Sequence, residues 1–378
     1  MRIALSFPDV NRRGGVERVV SEAANYLAAN NHEICLIARS VEPGILDRRV
    51  THYAVTDPRL WKVSLGEFAL TAPKVFESIT PPIDVHGAFT TASAVGGVLW
   101  VQAVHLAWMQ IARSTRGMSG RLRQAFNPFH RVALSLERSI IGGRRYKKLI
   151  ALTPAVAEDL KRLYSVPETD IVVLPNGVNP NEFSISDHSR KLVARRELGL
   201  PFDKPIILFV ANETQRKGFV PLLQALASIR DSQAHILAVG RLGGMKQWQK
   251  TLLQFGLQDR ITFTGPTSNA ALAYAASDLF ALPTIYEAWG LVIVEALASG
   301  LPVVTSRLAG AAEAIREGET GYLLSEPHNA SEIAVMLRRL LAGEHADAAT
   351  IAASIERYHW SKILCQYEQI LMDVAATG

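Results

Sequence analysis

Short apolar runs, each followed by a stretch of helical periodicity, recur through both halves of the sequence, and that alternation admits few folds. In the first half, strands are expected near 2–7, 33–38, 83–86, 99–104, 148–152 and 171–174, with helices near 16–29 and 154–165. In the second, strands near 205–210, 234–239, 260–264, 279–282 and 302–305 alternate with helices near 217–229, 245–256, 268–276, 291–299 and 310–316. Nearly continuous apolar strands separated by helices build parallel sheets covered on both faces. A chain of 378 residues exceeds what one hydrophobic core supports, so two domains are expected. The fold class is therefore α/β, with two Rossmann-like doubly wound domains facing a cleft. Pro175-Asn-Gly-Val-Asn-Pro180 carries the turn formers of a linker, which gives domains over 1–180 and 181–360 and a last helix within 361–378.

Chemistry concentrates in residues 283–304, PTIYEAWGLVIVEALASGLPVV. Phe280 to Leu282 reads as the end of a buried strand, and Gly290 to Ala298 as a helix ended by Gly300. Glu287 then lies on the loop between them, and Glu295 about one and a half turns into the helix, facing the carboxyl edge of the sheet where open α/β folds bind ligands. The amides of residues 289–291 point there too. A helix N-terminus gathers unpaired N–H donors and roughly half a positive charge, which suits a phosphate. Carboxylates beside it suit hydroxyl groups.

In this context Glu287-x7-Glu295, with Gly290-Leu291 between and Gly300-Leu-Pro302-Val-Val304 after, resembles the signature of retaining glycosyltransferases of the GT-B fold, family 4. Further matches span almost the whole chain: Gly14-Gly15-Val-Glu-Arg18, Thr153-Pro-Ala-Val-Ala-Glu-Asp-Leu160, Pro175-Asn176-Gly177-Val178, Arg216-Lys217-Gly218, Thr264-Gly265, Glu317-Gly318-Glu-Thr-Gly321 and Trp360. The resemblance implies that Glu287 holds donor-sugar hydroxyls and Glu295 ribose hydroxyls. It places Arg216 and Lys217 on the diphosphate, His105 on the transferred sugar, Gly14 and Gly15 against donor and acceptor, and Asn212, Gly265, Ala288, Trp289, Gly290 and Leu291 around the donor. The sequence departs from the family pattern in carrying Asn212 where an arginine is frequent. The Arg-Lys pair that follows is similar to that of glycosyltransferases of the lipopolysaccharide core. Ala288-Trp289 replaces the usual Gly-Phe, and the bulky ring is expected to narrow the donor pocket. His86, after the short strand Ile83 to Val85, is a weaker candidate for the same cleft as His105.

No G-x-G-x-x-G is present, which argues against a nicotinamide enzyme. The sequence has neither an H-E-x-x-H nor a D-x-D, and Cys35 and Cys365 stand alone in apolar or helical surroundings. A metal-free reaction without a cofactor is expected, with a nucleotide diphosphate sugar, UDP-linked by resemblance, as co-substrate. Hydrophobic residues make up 48% of the chain and charged ones 20%, yet no stretch approaches the roughly 20 apolar residues of a membrane span. A cytoplasmic protein is expected.

Charge is distributed unevenly. Residues 103–150 hold ten Lys/Arg against one acid, Glu137, whereas residues 1–102 balance ten against ten. Leu122, Phe126, Phe129, Val132, Leu136 and Ile140 recur there at helical spacing, interrupted at Asn127-Pro128. A basic amphipathic segment of this kind suits anionic lipid at the inner face of the cytoplasmic membrane, or an anionic acceptor, with Arg116, Arg121, Arg123 and Arg131 as the contacts. No nucleic-acid recognition motif accompanies the charge. The expected activity is transfer of a sugar to a glycan or lipid-linked acceptor in lipopolysaccharide, capsule or exopolysaccharide synthesis. A sugar-nucleotide epimerase or phosphorylase on the same architecture, and a non-catalytic sugar-nucleotide binding partner, are the alternatives.

Overall fold

The computed structural model describes residues 1–12, 14–56, 64–93, 96–115, 127–267 and 269–377. They form two compact units, Met1–Asn176 with Trp360–Gly378, and Gly177–His359. The division falls at Asn176–Gly177, a few residues before the expected 180, and the last helix belongs to the first unit.

The first unit contains β1 (Arg2–Ser6), β2 (Asp9–Val10), β3 (Glu33–Ala38), β4 (Ser40–Val41), β5 (Val50–Ala54), β6 (Val85–Ala88), β7 (Val98–Val101), β8 (Lys148–Ala151) and β9 (Ile171–Val173). Seven of these form one parallel sheet in the order β5-β3-β1-β6-β7-β8-β9, and β2 pairs with β4. Its helices are α1 (Gly15–Ala29), α2 (Ser64–Ser78), α3 (His105–Thr115), α4 (Pro128–Glu137) and α5 (Pro154–Tyr164).

The second unit contains β10 (Ile206–Val210), β11 (His235–Val239), β12 (Ile261–Gly265), β13 (Leu279–Leu282), β14 (Val303–Ser306) and β15 (Gly321–Leu324). They make a parallel sheet in the order β12-β11-β10-β13-β14-β15, the 3-2-1-4-5-6 order of a Rossmann fold. Its helices are α6 (His188–Glu197), α7 (Phe219–Ser228), α8 (Met245–Phe255), α9 (Ala270–Ala276), α10 (Leu291–Ala298), α11 (Ala330–Leu341) and α12 (Ala348–Ala353). Consecutive residues Ile206, Ile207, Leu208 and Phe209 of β10 are all 0% exposed, the mark of a strand covered on both faces rather than one. The order reverses between β1 and β6 in the first sheet and between β10 and β13 in the second. At such switch points the loops beyond the strand ends diverge and leave a crevice for a ligand.

The final helix, α13 (Trp360–Ala376), packs on α1, β6 and β7 of the first unit. Tyr367 anchors it, its ring 4.8 Å from Trp100 and 6.0 Å from Phe89. Gly87 makes room, because a Cβ there would run into the Tyr367 hydroxyl.

Several expectations change. The strand expected over 99–104 ends at Val101, so His105 opens a helix instead of closing a strand. The segment 310–316 is a 3-10 turn over Gly310–Ala314. The break at Asn127-Pro128 is the start of α4: Asn127 accepts from the Phe129 N–H at 3.0 Å and Pro128 takes the first helical position, where its missing N–H costs nothing. Arg116, Arg121, Arg123, Leu122 and Phe126 lie outside the described residues.

Candidate functional site

Two loops meet at the β10/β13 switch point. After β10 the chain passes Asn212 and reaches Arg216-Lys217-Gly218 before α7; after β13 it passes Pro283 to Trp289 before α10. Backbone bonds lock them together: the Ile285 N–H donates to the Arg216 carbonyl at 3.0 Å, and the Thr284 hydroxyl donates to the same carbonyl at 3.2 Å. Gly218 allows this closeness. It has φ +73°, and a Cβ there would press into the Pro283 carbonyl. Gly218→Ala is therefore expected to destabilise the protein by more than about 1 kcal/mol, read as a lowered melting temperature.

The junction is charged. Lys217 Nζ contacts the Glu287 carboxylate, and Arg216 Nη1 reaches the same oxygen at 3.3 Å. Arg216 also donates from Nη1 to the Tyr286 carbonyl at 2.7 Å and from Nε to Glu213 at 3.0 Å. Its guanidinium is thus held in one orientation across both loops. Burial, with Arg216 beside it, pushes the Lys217 ammonium well below its ordinary range. The touching Glu287 carboxylate acts in the opposite direction and favours the charged form. Glu287 is itself braced, its N–H donating to the Leu308 carbonyl at 3.4 Å and its carbonyl accepting from Gly310 at 2.9 Å.

Gly290 (φ +101°) turns the chain into α10, whose first turn has no side-chain cap. Leu291 opens the helix, and Glu295 follows on its fifth residue. Glu295 is 3% exposed and accepts a hydrogen bond from the Tyr274 hydroxyl of α9 at 2.7 Å. Ala288 is buried, and the Trp289 ring lies in the core 5.2 Å from Tyr358. The ring is only 2% exposed, so the expectation that it narrows a donor pocket gives way to a packing role. Neighbouring strand ends are stitched together: Asn212 Oδ1 accepts from the Arg241 N–H at 3.2 Å, and the Gly240 N–H donates to the Gly265 carbonyl at 3.0 Å.

In the first unit, Gly14 and Gly15 form the entry to α1, with the Glu17 side chain close to Gly14. His86 is 4% exposed and bonded to Ser6 Oγ at 2.6 Å, which makes it a satisfied core residue rather than a cleft group. His105 is half-buried. Its Nε2 lies 3.0 Å from His130 Nδ1, and the buried Glu137 carboxylate accepts from the His105 and Leu106 N–H groups. Burial first, and then His130, lower the His105 pKa to about 4. Its ring is therefore neutral at pH 7.

Comparison with known proteins gives the family. Residues 13–182 match the Glycosyltransferase Family 4 description and residues 191–357 match Glycosyl transferases group 1, together covering most of the chain. The chain belongs to the family 4, group 1 glycosyltransferases of the GT-B fold. This family member is 28% identical to the D-inositol 3-phosphate glycosyltransferase of Arthrobacter sp. over 93% of its own length and 91% of that protein. It is 26% identical to the lipopolysaccharide glucosyltransferase WaaG of Escherichia coli over 55% of this chain and 56% of that one. Many curated matches are partial: in two others the chain spans 57% and 54% of the relative. The Anabaena protein HepE, solved with UDP-glucose, superposes with a TM-score of 0.76 at 20% identity over 99% of this chain and 100% of that one, which shows the shared fold.

Four side chains of this glycosyltransferase escaped the sequence reading: Glu213, Tyr274, His130 and Glu137. Glu213 had a local signal, lying three residues before Arg216. Tyr274 lies 21 residues before its partner Glu295, and Glu137 lies 32 after His105, so neither shares a motif with the residue it holds.

Proposed function

We propose that this protein transfers a sugar, with retention and without a bound metal, from a nucleotide diphosphate sugar to a glycan or glycolipid acceptor, with a hexose from a UDP-sugar as the expected donor. The observation that carries this reading is the cluster of Arg216, Lys217 and Glu287 at the β10/β13 switch point, beside the uncapped start of α10. Two cations and free helix amides suit a diphosphate; carboxylates beside them suit hydroxyls. HepE, with UDP-glucose on the same fold, supports the donor class.

In the proposed reaction the bond between the anomeric carbon and the β-phosphate oxygen breaks. The acceptor oxygen bonds to that carbon on the face being vacated, and its proton passes to the departing phosphate. Arg216 and Lys217 stabilise the negative charge that develops there, as preorganised groups that need not reorient during the step. Glu287 accepts hydrogen bonds from sugar hydroxyls, Glu295 from the ribose, and the neutral His105 contacts the transferred sugar. Thermal-shift measurements with UDP, UDP-glucose and other nucleotides, in the presence of EDTA, test the donor half. A nucleotide diphosphate at 100 times its Kd should stabilise the fold by about 2.7 kcal/mol. Lack of any nucleotide-dependent shift would sink the reading.

The proposed context is lipopolysaccharide, capsule or exopolysaccharide synthesis at the inner membrane face. No helix among the described residues is long and apolar enough to cross a membrane. The apolar side of α4 is also committed, since Leu136 packs against the cluster around Phe68 and Val132 lies against Gly66. What α4 and the turn after it leave outside is charge, in exposed Arg131, Arg138, Arg144, Arg145 and Lys147, with Phe129 at 41% exposure. Membrane docking should therefore be electrostatic, at about 1 kcal/mol per Lys/Arg that reaches the surface. Vesicle sedimentation should show binding that needs phosphatidylglycerol, weakens with salt and falls when Arg116, Arg121, Arg123 and Arg131 become Ser. Indifference to vesicles under all these conditions would overturn the membrane reading and leave the charge to a soluble anionic acceptor or to no specific partner.

A further inference from the structure

We propose that α4 is a positioning element for His105, with Glu137 fixing the backbone from which the imidazole projects and His130 fixing the ring. The inference rests on the reading of His105 as a contact to the transferred sugar, and extends it to two residues outside every motif of the family resemblance.

Three observations carry it. His130 and Glu137 are seven residues apart on α4, two turns, and so share one helix face. That face meets the start of α3 at both ends of the same residue: the carboxylate takes the His105 N–H, and the imidazole takes the His105 ring at Nε2, 3.0 Å away. Glu137 is 2% exposed; burial pushes its carboxyl above the ordinary range, and the Tyr164 hydroxyl of α5 at 2.6 Å and the His105 and Leu106 N–H groups act against that by favouring the charged form. A carboxylate at a helix N-terminus is favoured by the amides and the dipole, and a buried one that loses its donors is costly. The first turn of α3 therefore has one low-energy arrangement. Phe129 closes the other side, its ring edge-on to His105 at 5.8 Å.

The same contacts set the ring's state. Among the described residues, His130 of α4 meets the ring and Glu137 its backbone N–H, Tyr164 of α5 bonds Glu137 with Arg138 beside it, and Arg162 bonds Gln110 farther along α3. Two imidazoles joined by one N–H···N bond take opposite roles, one donating and one accepting, so the ring orientation is fixed and the tautomer of His105 is coupled to that of His130. His105 is thus left to meet a hydroxyl through Nδ1, the nitrogen that His130 does not take.

The test is an NMR titration of the full-length protein labelled with nitrogen-15 in histidine, in wild type, His130→Leu, His130→Asn and Glu137→Gln. Wild-type His105 should show a hydrogen-bonded Nε2 and a midpoint near 4. His130→Leu should abolish the hydrogen-bond shift at Nε2, while the midpoint stays low because burial, the larger cause, remains. His130→Asn, whose amide can donate to or accept from Nε2, should restore the hydrogen bond there. Glu137→Gln should shift the His105 amide resonance while the signals of the other histidines stay in place. Turnover, followed as UDP released from UDP-glucose, should drop about 10- to 100-fold in His130→Leu, with donor KM little changed, as expected for a misaligned reacting group. A His105 signature identical in all four proteins would overturn the proposal whatever the activity. A signature that moves as described while kcat does not would show that His105 is held but not used, which overturns the sugar-contact reading on which the inference depends.

Discussion

Lys217→Ala is expected to lower kcat roughly 100-fold or more, the usual cost of losing one preorganised donor to developing charge. The fold should survive, because Arg216 still reaches Glu287 at 3.3 Å and leaves its carboxylate paired. Arg216→Ala should cost as much in turnover and more in stability, since that guanidinium also joins the two loops through the Tyr286 carbonyl. Lysine in place of Arg216 should not rescue it, because a point charge cannot serve Glu213, Tyr286 and Glu287 at once. Steady-state kinetics in EDTA check both points. Full activity with chelator present would fit side chains doing the work of a metal; strict dependence on added Mg²⁺ or Mn²⁺ would count against the mechanism.

How legible this was in the sequence varies by element for physical reasons. The inner strands announced themselves because strands covered on both faces are apolar at every position, as in residues 206–210, IILFV. Strand β5 did not: Val50-Thr-His-Tyr-Ala54 is an edge strand whose residues are all exposed or half-buried, so no apolar run marks it. Helix α6 was hidden in the same way, because HSRKLVARRE is charged on most of its surface and only Ala194 and Arg195 are buried. The charged cluster was readable because Arg216-Lys217 and Glu287-x7-Glu295 are local patterns. That Lys217 and Glu287, 70 residues apart, touch is a property of the switch point, where chain order reverses and distant loops become neighbours. Glu137 illustrates the limit. A single acid among ten cations looks solvated in sequence, and only the fold shows it buried beneath α3.

The two signature acids should separate under mutation, because their surroundings differ. Glu295 is 3% exposed and held by the Tyr274 hydroxyl. Glu295→Ala should weaken nucleotide binding by about 1.5–3 kcal/mol, or roughly 10- to 150-fold in Kd, the value of a charge-assisted hydrogen bond lost to a hydroxyl. Tyr274→Phe should move Kd in the same direction by less, since the carboxylate remains but is no longer aimed. Glu287 is bonded to both Lys217 and Arg216, so its removal leaves two adjacent cations with less countercharge. Glu287→Ala should therefore depress kcat and also lower stability, by less than the roughly 3–5 kcal/mol of a fully buried pair because the Glu287 side chain keeps 19% exposure. That second loss supplies an internal control. A nucleotide diphosphate brings negative charge to the same cations, so UDP should raise the melting temperature of Glu287→Ala by more than it raises the wild type. Calorimetric titration and thermal melts of the two variants decide the matter. Unchanged nucleotide affinity in Glu295→Ala together with unchanged turnover in Glu287→Ala would remove the assignment of both acids to the donor.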